Sequence, residues 1–190
     1  MESEVRPNNR LFVALDPPTA VRDHLARLAA GLSADPAARA VPPENLHATL
    51  AFLGRADPSI ATSILDEMRS AARGLAVRAR VGALRGRPRS ATRVIAAQLE
   101  LVDPTATTRL RSLRAALRRL AGLSDDERPF WPHVTLVRFR RPTRVTNLPS
   151  AMGEHMFAFE RLTLYDSLQR QSAPPRYVSV GAIDLATPAP

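Results

Sequence analysis

Four residues recur in this chain: His47-Ala48-Thr49-Leu50 and, in the second half, His133-Val134-Thr135-Leu136. Both copies sit in short apolar runs with strand-like alternation. In a strand, side chains at i and i+2 share a face, so each His and its Thr point one way while the residues between and after them point to a core. Each copy thus offers an imidazole beside a hydroxyl. One His on a strand is ordinary, but two of only four histidines carry the same Thr and Leu behind them. Imidazole exchanges protons near neutral pH, and a pair of them suits a displacement in which a nucleophile loses a proton while a leaving oxygen gains one. Two Thr hydroxyls would donate hydrogen bonds to the negative oxygens of the reacting centre. Phosphate fits, because it has spare oxygens for both and reacts in line.

Composition narrows the partners. The formal charge is +9 and the pI about 11.5, which favours an anion. All the basic residues are Arg; with no Lys, Schiff-base catalysis, a P-loop lysine and a nucleotidyl-lysine intermediate are excluded. Absence of Cys removes disulfides, a thiol nucleophile and Cys-ligated zinc. The first residues lack an apolar leader core and no run reaches membrane-spanning length, so a soluble, cytoplasmic protein is expected, with no membrane partner.

Several elements must position the two motifs. Arg10 to Leu15 reads as a buried strand, and Asp16-Pro17-Pro18-Thr19 ends it. Val21, Leu25, Leu28, Ala29 and Leu32 predict an amphipathic helix over 18–32, with His24 at its margin as a surface residue. The Pro-rich stretch Ser33 to Pro43 reads as a connection into the first motif strand, Leu46 to Leu53. Asp57-Pro58 predicts a cap and first helical residue for a helix burying Ile60, Ile64, Met68 and Ala71, closed by Gly74. Leu75 to Leu84 and Val94 to Leu99 read as a hairpin around the loop Arg85 to Ser90, the first place to look for an RNA-backbone contact. Asp103-Pro104 starts a third helix with Leu110, Leu113, Leu117 and Leu120 on one side, Arg111, Arg114 and Arg118 along a solvated flank, and Gly122 at its end. After the polar loop Ser124 to Pro129, Pro132 marks the start of the second motif strand, which runs to Phe139. Phe157 to Tyr165 and Tyr177 to Leu185 read as closing strands. Strands arriving mostly as hairpins or neighbours predict an α+β fold with antiparallel sheets, and the repeated motif predicts two lobes around a cleft.

On these residues the chain resembles the 2H phosphoesterase superfamily, named for paired His-x-Thr-x motifs. It is most similar to the RNA 2′,3′-cyclic phosphodiesterases, also called the 2′-5′ RNA ligase family. The resemblance is carried by Asn45-Leu46-His47-Ala48-Thr49-Leu50-Ala51-Phe52-Leu53-Gly54 and by Phe130-Trp131-Pro132-His133-Val134-Thr135-Leu136-Val137-Arg138. Looser likeness covers Phe12 to Pro17 and Leu164-Tyr165-Asp166-Ser167. The chain departs from the family where Ser167-Leu168 is followed by Ser172 to Tyr177 without a Gly, and where Ile95-Ala96 replaces a frequent aromatic.

The resemblance implies one bilobal domain over residues 10–185, two antiparallel sheets with flanking helices around a central cleft, and loose termini at 1–9 and 186–190. It implies hydrolysis of an RNA or nucleotide 2′,3′-cyclic phosphate to a 2′-phosphomonoester by a monomer, with no metal and no cofactor. By the same resemblance His133 is the proton acceptor that activates water and His47 the proton donor to O3′. Thr49 and Thr135 bind the non-bridging oxygens. Arg138 matches a family Arg that would steady the phosphate, although its odd offset from His133 places it on the opposite face of a regular strand. Alternatives keep the chemistry and change the substrate: ADP-ribose 1″,2″-cyclic phosphate, a 2′-5′-linked oligonucleotide, or ATP-independent 2′-5′ ligation. A non-catalytic RNA-binding module and a metallohydrolase are the readings of other classes. The latter is disfavoured because neither motif brings a carboxylate at +2.

Overall fold

The computed structural model describes residues 10–124, 129–149, 156–168 and 176–187. The expected loose termini fall largely outside them, as does the stretch 169–175 where the chain departs from the resemblance, and so do residues 125–128 of the polar loop. Among the described residues, nine strands form one antiparallel sheet: β1 (Arg10–Asp16), β2 (Ala38–Ala40), β3 (Ala48–Arg55), β4 (Arg78–Arg87), β5 (Thr92–Leu101), β6 (His133–Thr143), β7 (Met156–Ala158), β8 (Arg161–Leu168) and β9 (Arg176–Asp184). Their order is β7-β4-β5-β6-β3-β1-β8-β9, with β2 added alongside β6. The motif strands β3 and β6 are central, and only the pair Ala48–Val134 joins them. A half of four strands (β3, β1, β8, β9) and a half of five (β7, β4, β5, β6 with β2) therefore meet at a narrow seam, and the sheet curls into a half-barrel. This is the expected α+β antiparallel architecture, with its two sheets fused at one bridge.

Among the described residues three α-helices, α1 (Thr19–Gly31), α2 (Ala61–Ala72) and α3 (Pro104–Leu120), pack on the sheet: α1 against β6, α2 against α3 and β9, α3 against β3. Leu25 and Ala29, Ile64 and Met68, and Leu110, Leu113 and Leu117 are buried there. Each such Leu, Ile or Met contributes about 1.5–3 kcal/mol by leaving water. Leu120, expected on the same stripe, is instead 40% exposed in the last turn of α3. The core lies between helices and sheet, so the other face of the motif strands stays open.

Local chemistry explains where the sequence reading needs correction. Asp103 caps α3 by accepting from the Thr105 amide at 2.8 Å, with Pro104 at the first helical position. Asp57 accepts from the Ser59 amide at 2.8 Å too, but the turn it starts, Pro58–Ile60, is a 3-10 turn, and α2 begins only at Ala61. β4 runs on through Arg87 and β5 starts at Thr92, so Arg85 and Arg87 are strand residues rather than loop. The run Phe157 to Tyr165 is two strands: β7 pairs with β4 at one end of the sheet, and β8 pairs with β1 in the other half. Between them the Phe159 amide donates to the Val77 carbonyl and the Glu160 amide to that of Asp16, which turns the chain across. Within the connection Ser33 to Pro43, Ala38–Ala40 adds an edge strand to β6. Among the described residues, no helix is long and apolar enough to cross a membrane.

Candidate active site

The single antiparallel bridge sets the geometry of the two motifs. Ala48 and Val134 are buried and face each other across the seam. Continuing that register by one residue each way sets His47 opposite Thr135 and Thr49 opposite His133, all four on the open face. A cleft of about 790 Å³ lies there, lined by His47, Thr49, His133 and Thr135 together with Phe12, Phe52, Arg138 and Tyr177. Its walls are strands, Asn45 of the 3-10 turn Pro43–Asn45, and Val41 and His47 in the segments flanking that turn, with no α-helical residue among them.

Arg138 also lines this cleft, against the expectation from a regular strand. The reason is a β-bulge. On β5, consecutive Ile95 and Ala96 pair with Val137 and Thr135 of β6, so Leu136 is an extra residue and the alternation of β6 inverts after it. Leu136 and Val137 are both buried, and Arg138 returns to the His133 face. The first motif has the same device. Consecutive Val13 and Ala14 pair with Ala51 and Thr49, leaving Leu50 extra, and Phe52 re-emerges beside His47. The residue five positions after each His is thus delivered to the cleft: Phe52 in one half, Arg138 in the other.

Backbone carbonyls two residues upstream hold both imidazoles. His47 Nδ1 donates to the Asn45 carbonyl and His133 Nδ1 to the Trp131 carbonyl, each at 2.8 Å. A carbonyl only accepts, which places the Nδ1 proton and leaves Nε2 of each ring as the working nitrogen. His47 Nε2 lies 3.1 Å from the Thr49 hydroxyl. The rings are also packed. Phe12 lies beneath His47 with centroids 4.9 Å apart, and Tyr177 meets its edge at 5.3 Å. Trp131 stacks on His133 at 4.0 Å and 17°, with the Arg87 guanidinium 4.9 Å from the indole centroid. Of these neighbours the sequence reading had singled out Arg138 alone as a site residue.

Burial and neighbouring cations shift both rings towards the neutral form. His47 is lowered to about 4, chiefly by burial and further by the Arg138 and His133 charges, against the opposing bond to the Asn45 carbonyl. His133 is lowered by burial and by Arg138 and Arg87. Behind the site, a buried carboxylate anchors β1 to β8: Asp16 accepts from the Thr163 hydroxyl at 2.6 Å and the Tyr165 hydroxyl at 2.9 Å. Burial raises the Asp16 pKa and holds the Tyr165 hydroxyl protonated. Tyr165 in turn stacks on Phe12 at 5.2 Å, so this network supports the ring under His47. Among the described residues, no group of three or more His, Asp or Glu is placed to hold a metal ion.

Curled sheet, three helices and paired His-x-Thr strands define a phosphoesterase class of fold. Residues 15–95 match the family model described as LigT-like phosphoesterase. The whole fold is similar to that of TT0787 of Thermus thermophilus, at 26% identity and TM-score 0.78, covering 93% of this chain and 97% of that one. It is similar also to E. coli LigT complexed with 3′-AMP, at 27% identity and TM-score 0.73, covering 94% and 99%, and to E. coli LigT complexed with phosphate, at 26% identity and TM-score 0.71, covering 96% and 100%. No curated protein matches the chain. Together these matches show the fold of the LigT-like phosphoesterases, with the family model itself matching residues 15–95.

Proposed function

We propose that the protein is a metal-independent phosphodiesterase that opens the terminal 2′,3′-cyclic phosphate of RNA to a 2′-phosphomonoester. The observation carrying this reading is the convergence, on one open cleft, of two imidazoles with Nδ1 held by carbonyls, two Thr hydroxyls and Arg138. A water oxygen attacks phosphorus as the P–O3′ bond breaks. Nε2 of His133 accepts the water proton, and Nε2–H of His47 delivers a proton to O3′. Thr49, Thr135 and Arg138 bind the non-bridging oxygens as charge builds on them. His133 is suited to the base role because its lowered pKa keeps it neutral. His47 is neutral in the empty site as well. The bound phosphodiester anion offsets the Arg138 charge and draws the donor proton onto it. E. coli LigT has been crystallised with 3′-AMP and with phosphate, which are molecules of the chemistry this cleft is proposed to take.

The division of labour is tested through the leaving group. On a cyclic nucleotide, His47→Ala and His133→Ala each lower kcat/KM on the order of a hundredfold or more. On an activated aryl phosphodiester, whose phenolate needs little protonation, His47→Ala is far milder than His133→Ala. Equal damage from both replacements on both substrates contradicts the assigned roles.

A further inference from the structure

The residue five positions after each His differs between the halves, and the sheet register extends that difference sideways. In the first half Phe52 pairs with Phe12, which pairs with Tyr165, giving a row of rings across β3, β1 and β8. In the second half Arg138 pairs with Arg39 of β2 on one side and Val94 of β5 on the other, and Val94 pairs with Arg87 of β4. Paired residues project from the same face of a sheet, so Arg39, Arg138 and Arg87 form a row on the open face, with Arg138 in the cleft wall and the other two flanking it. Three inter-strand spacings, from β2 through β6 and β5 to β4, separate its ends by roughly 14 Å. Arg140 lies two residues beyond Arg138, and it too is exposed.

This row is electrostatically unfavourable as it stands. Arg39 and Arg138 are directly opposed across two strands, where like charges destabilise a sheet. Among the described residues no carboxylate forms an ion pair with Arg39, Arg87, Arg138 or Arg140. The reacting phosphate, seated on His47, His133 and both Thr residues, neutralises Arg138 alone. A mononucleotide has no further phosphate for Arg39 or Arg87, whereas a strand continuing from the cyclic end places phosphodiesters within their reach.

We propose that the row Arg39–Arg138–Arg87 is a subsite for the phosphodiester backbone adjoining the reacting phosphate. The proposal rests on the phosphodiesterase reading for the position of the reacting phosphate. Arg39 is opposed to Arg138 but does not itself line the cleft that holds the two histidines, so it isolates the subsite.

The test compares a 2′,3′-cyclic mononucleotide with an oligoribonucleotide bearing the same end, in wild type, Arg39→Ala and Arg39→Lys, over a range of salt. In wild type the oligonucleotide has the higher kcat/KM, by about tenfold at low salt, and the advantage shrinks as salt rises. Arg39→Ala cuts the oligonucleotide's kcat/KM several-fold more than the mononucleotide's, and Arg39→Lys restores most of the difference. In parallel, binding of an oligoribonucleotide ending in a 2′-phosphomonoester is followed by fluorescence anisotropy. Arg39→Ala flattens the plot of log Kd against log salt by about 0.7 for the phosphate contact removed. Equal loss on both substrates, or an unchanged salt slope, overturns the subsite. Failure to hydrolyse either cyclic substrate overturns the phosphodiesterase reading instead, and the binding slope still decides the arginine row.

Discussion

Replacing His47 by Gln removes a titration that the fold suppresses. The His47 imidazole sits at a pKa of about 4, against 6.5 for the ordinary side chain, mainly because burial disfavours its charged form. The unfolded chain therefore takes up this proton before the folded one does. Its contribution to stability is fully present above pH 6.5 and is lost progressively as pH falls towards 4. Between pH 7 and pH 5 this one site removes roughly 2 kcal/mol of unfolding free energy, and about 3 kcal/mol by pH 4. Urea unfolding of wild type and His47→Gln at pH 7 and pH 5, extrapolated to water, measures the difference. His133, lowered in the same direction, is present in both proteins and drops out of the comparison to first order. The variant should lose about 2 kcal/mol less than wild type on acidification. The same pH dependence in both proteins would refute the claim that His47 is held neutral by its burial.

Other perturbations follow from the same geometry. Arg138→Ala should lower kcat/KM on the order of a hundredfold, as loss of one preorganised donor to a developing oxyanion does, with Arg138→Lys recovering part of it. Phe52 is 66% exposed beside the reacting centre, so Phe52→Ala should leave the urea midpoint nearly unchanged. If Phe52 stacks a base, its loss removes about 1–3 kcal/mol of nucleotide binding, read as a raised KM at similar kcat. Tyr165→Phe deprives Asp16 of one donor and should cost about 1–3 kcal/mol in urea unfolding at neutral pH.

The catalytic candidates were legible because their chemistry is written in residue type and spacing: His47 and Thr49, and His133 and Thr135, share a face in any strand, and the seam then brings the two faces together. Arg138 was visible as a residue but its direction was not. Periodicity assumes a regular strand, whereas the bulges at Leu50 and Leu136 each insert one residue and invert the alternation. The only trace in the sequence is two consecutive buried positions, Leu50-Ala51 and Leu136-Val137, after each Thr. Phe12, Trp131 and Arg87 were missed as site neighbours because their contacts with the histidines depend on which strands become adjacent. Phe157 to Tyr165 read as one strand for a related reason: apolar patterning records burial, and Phe157 of β7 and Leu162 and Leu164 of β8 are all buried although the partners of the two strands lie in different halves of the sheet. Ala38–Ala40 carries no apolar signal, being an edge strand held by main-chain bonds to β6.

Paired imidazoles are proposed to open a 2′,3′-cyclic phosphate, without a metal, by breaking its bond to O3′. Phosphorus NMR of a cyclic nucleotide incubated with the protein in excess EDTA tests this directly, because the two possible phosphomonoesters resolve from each other and from the cyclic ester. The expected outcome is conversion to the 2′-phosphomonoester alone. An unchanged cyclic ester, turnover only after zinc or manganese is restored, or accumulation of the 3′-phosphomonoester would contradict it.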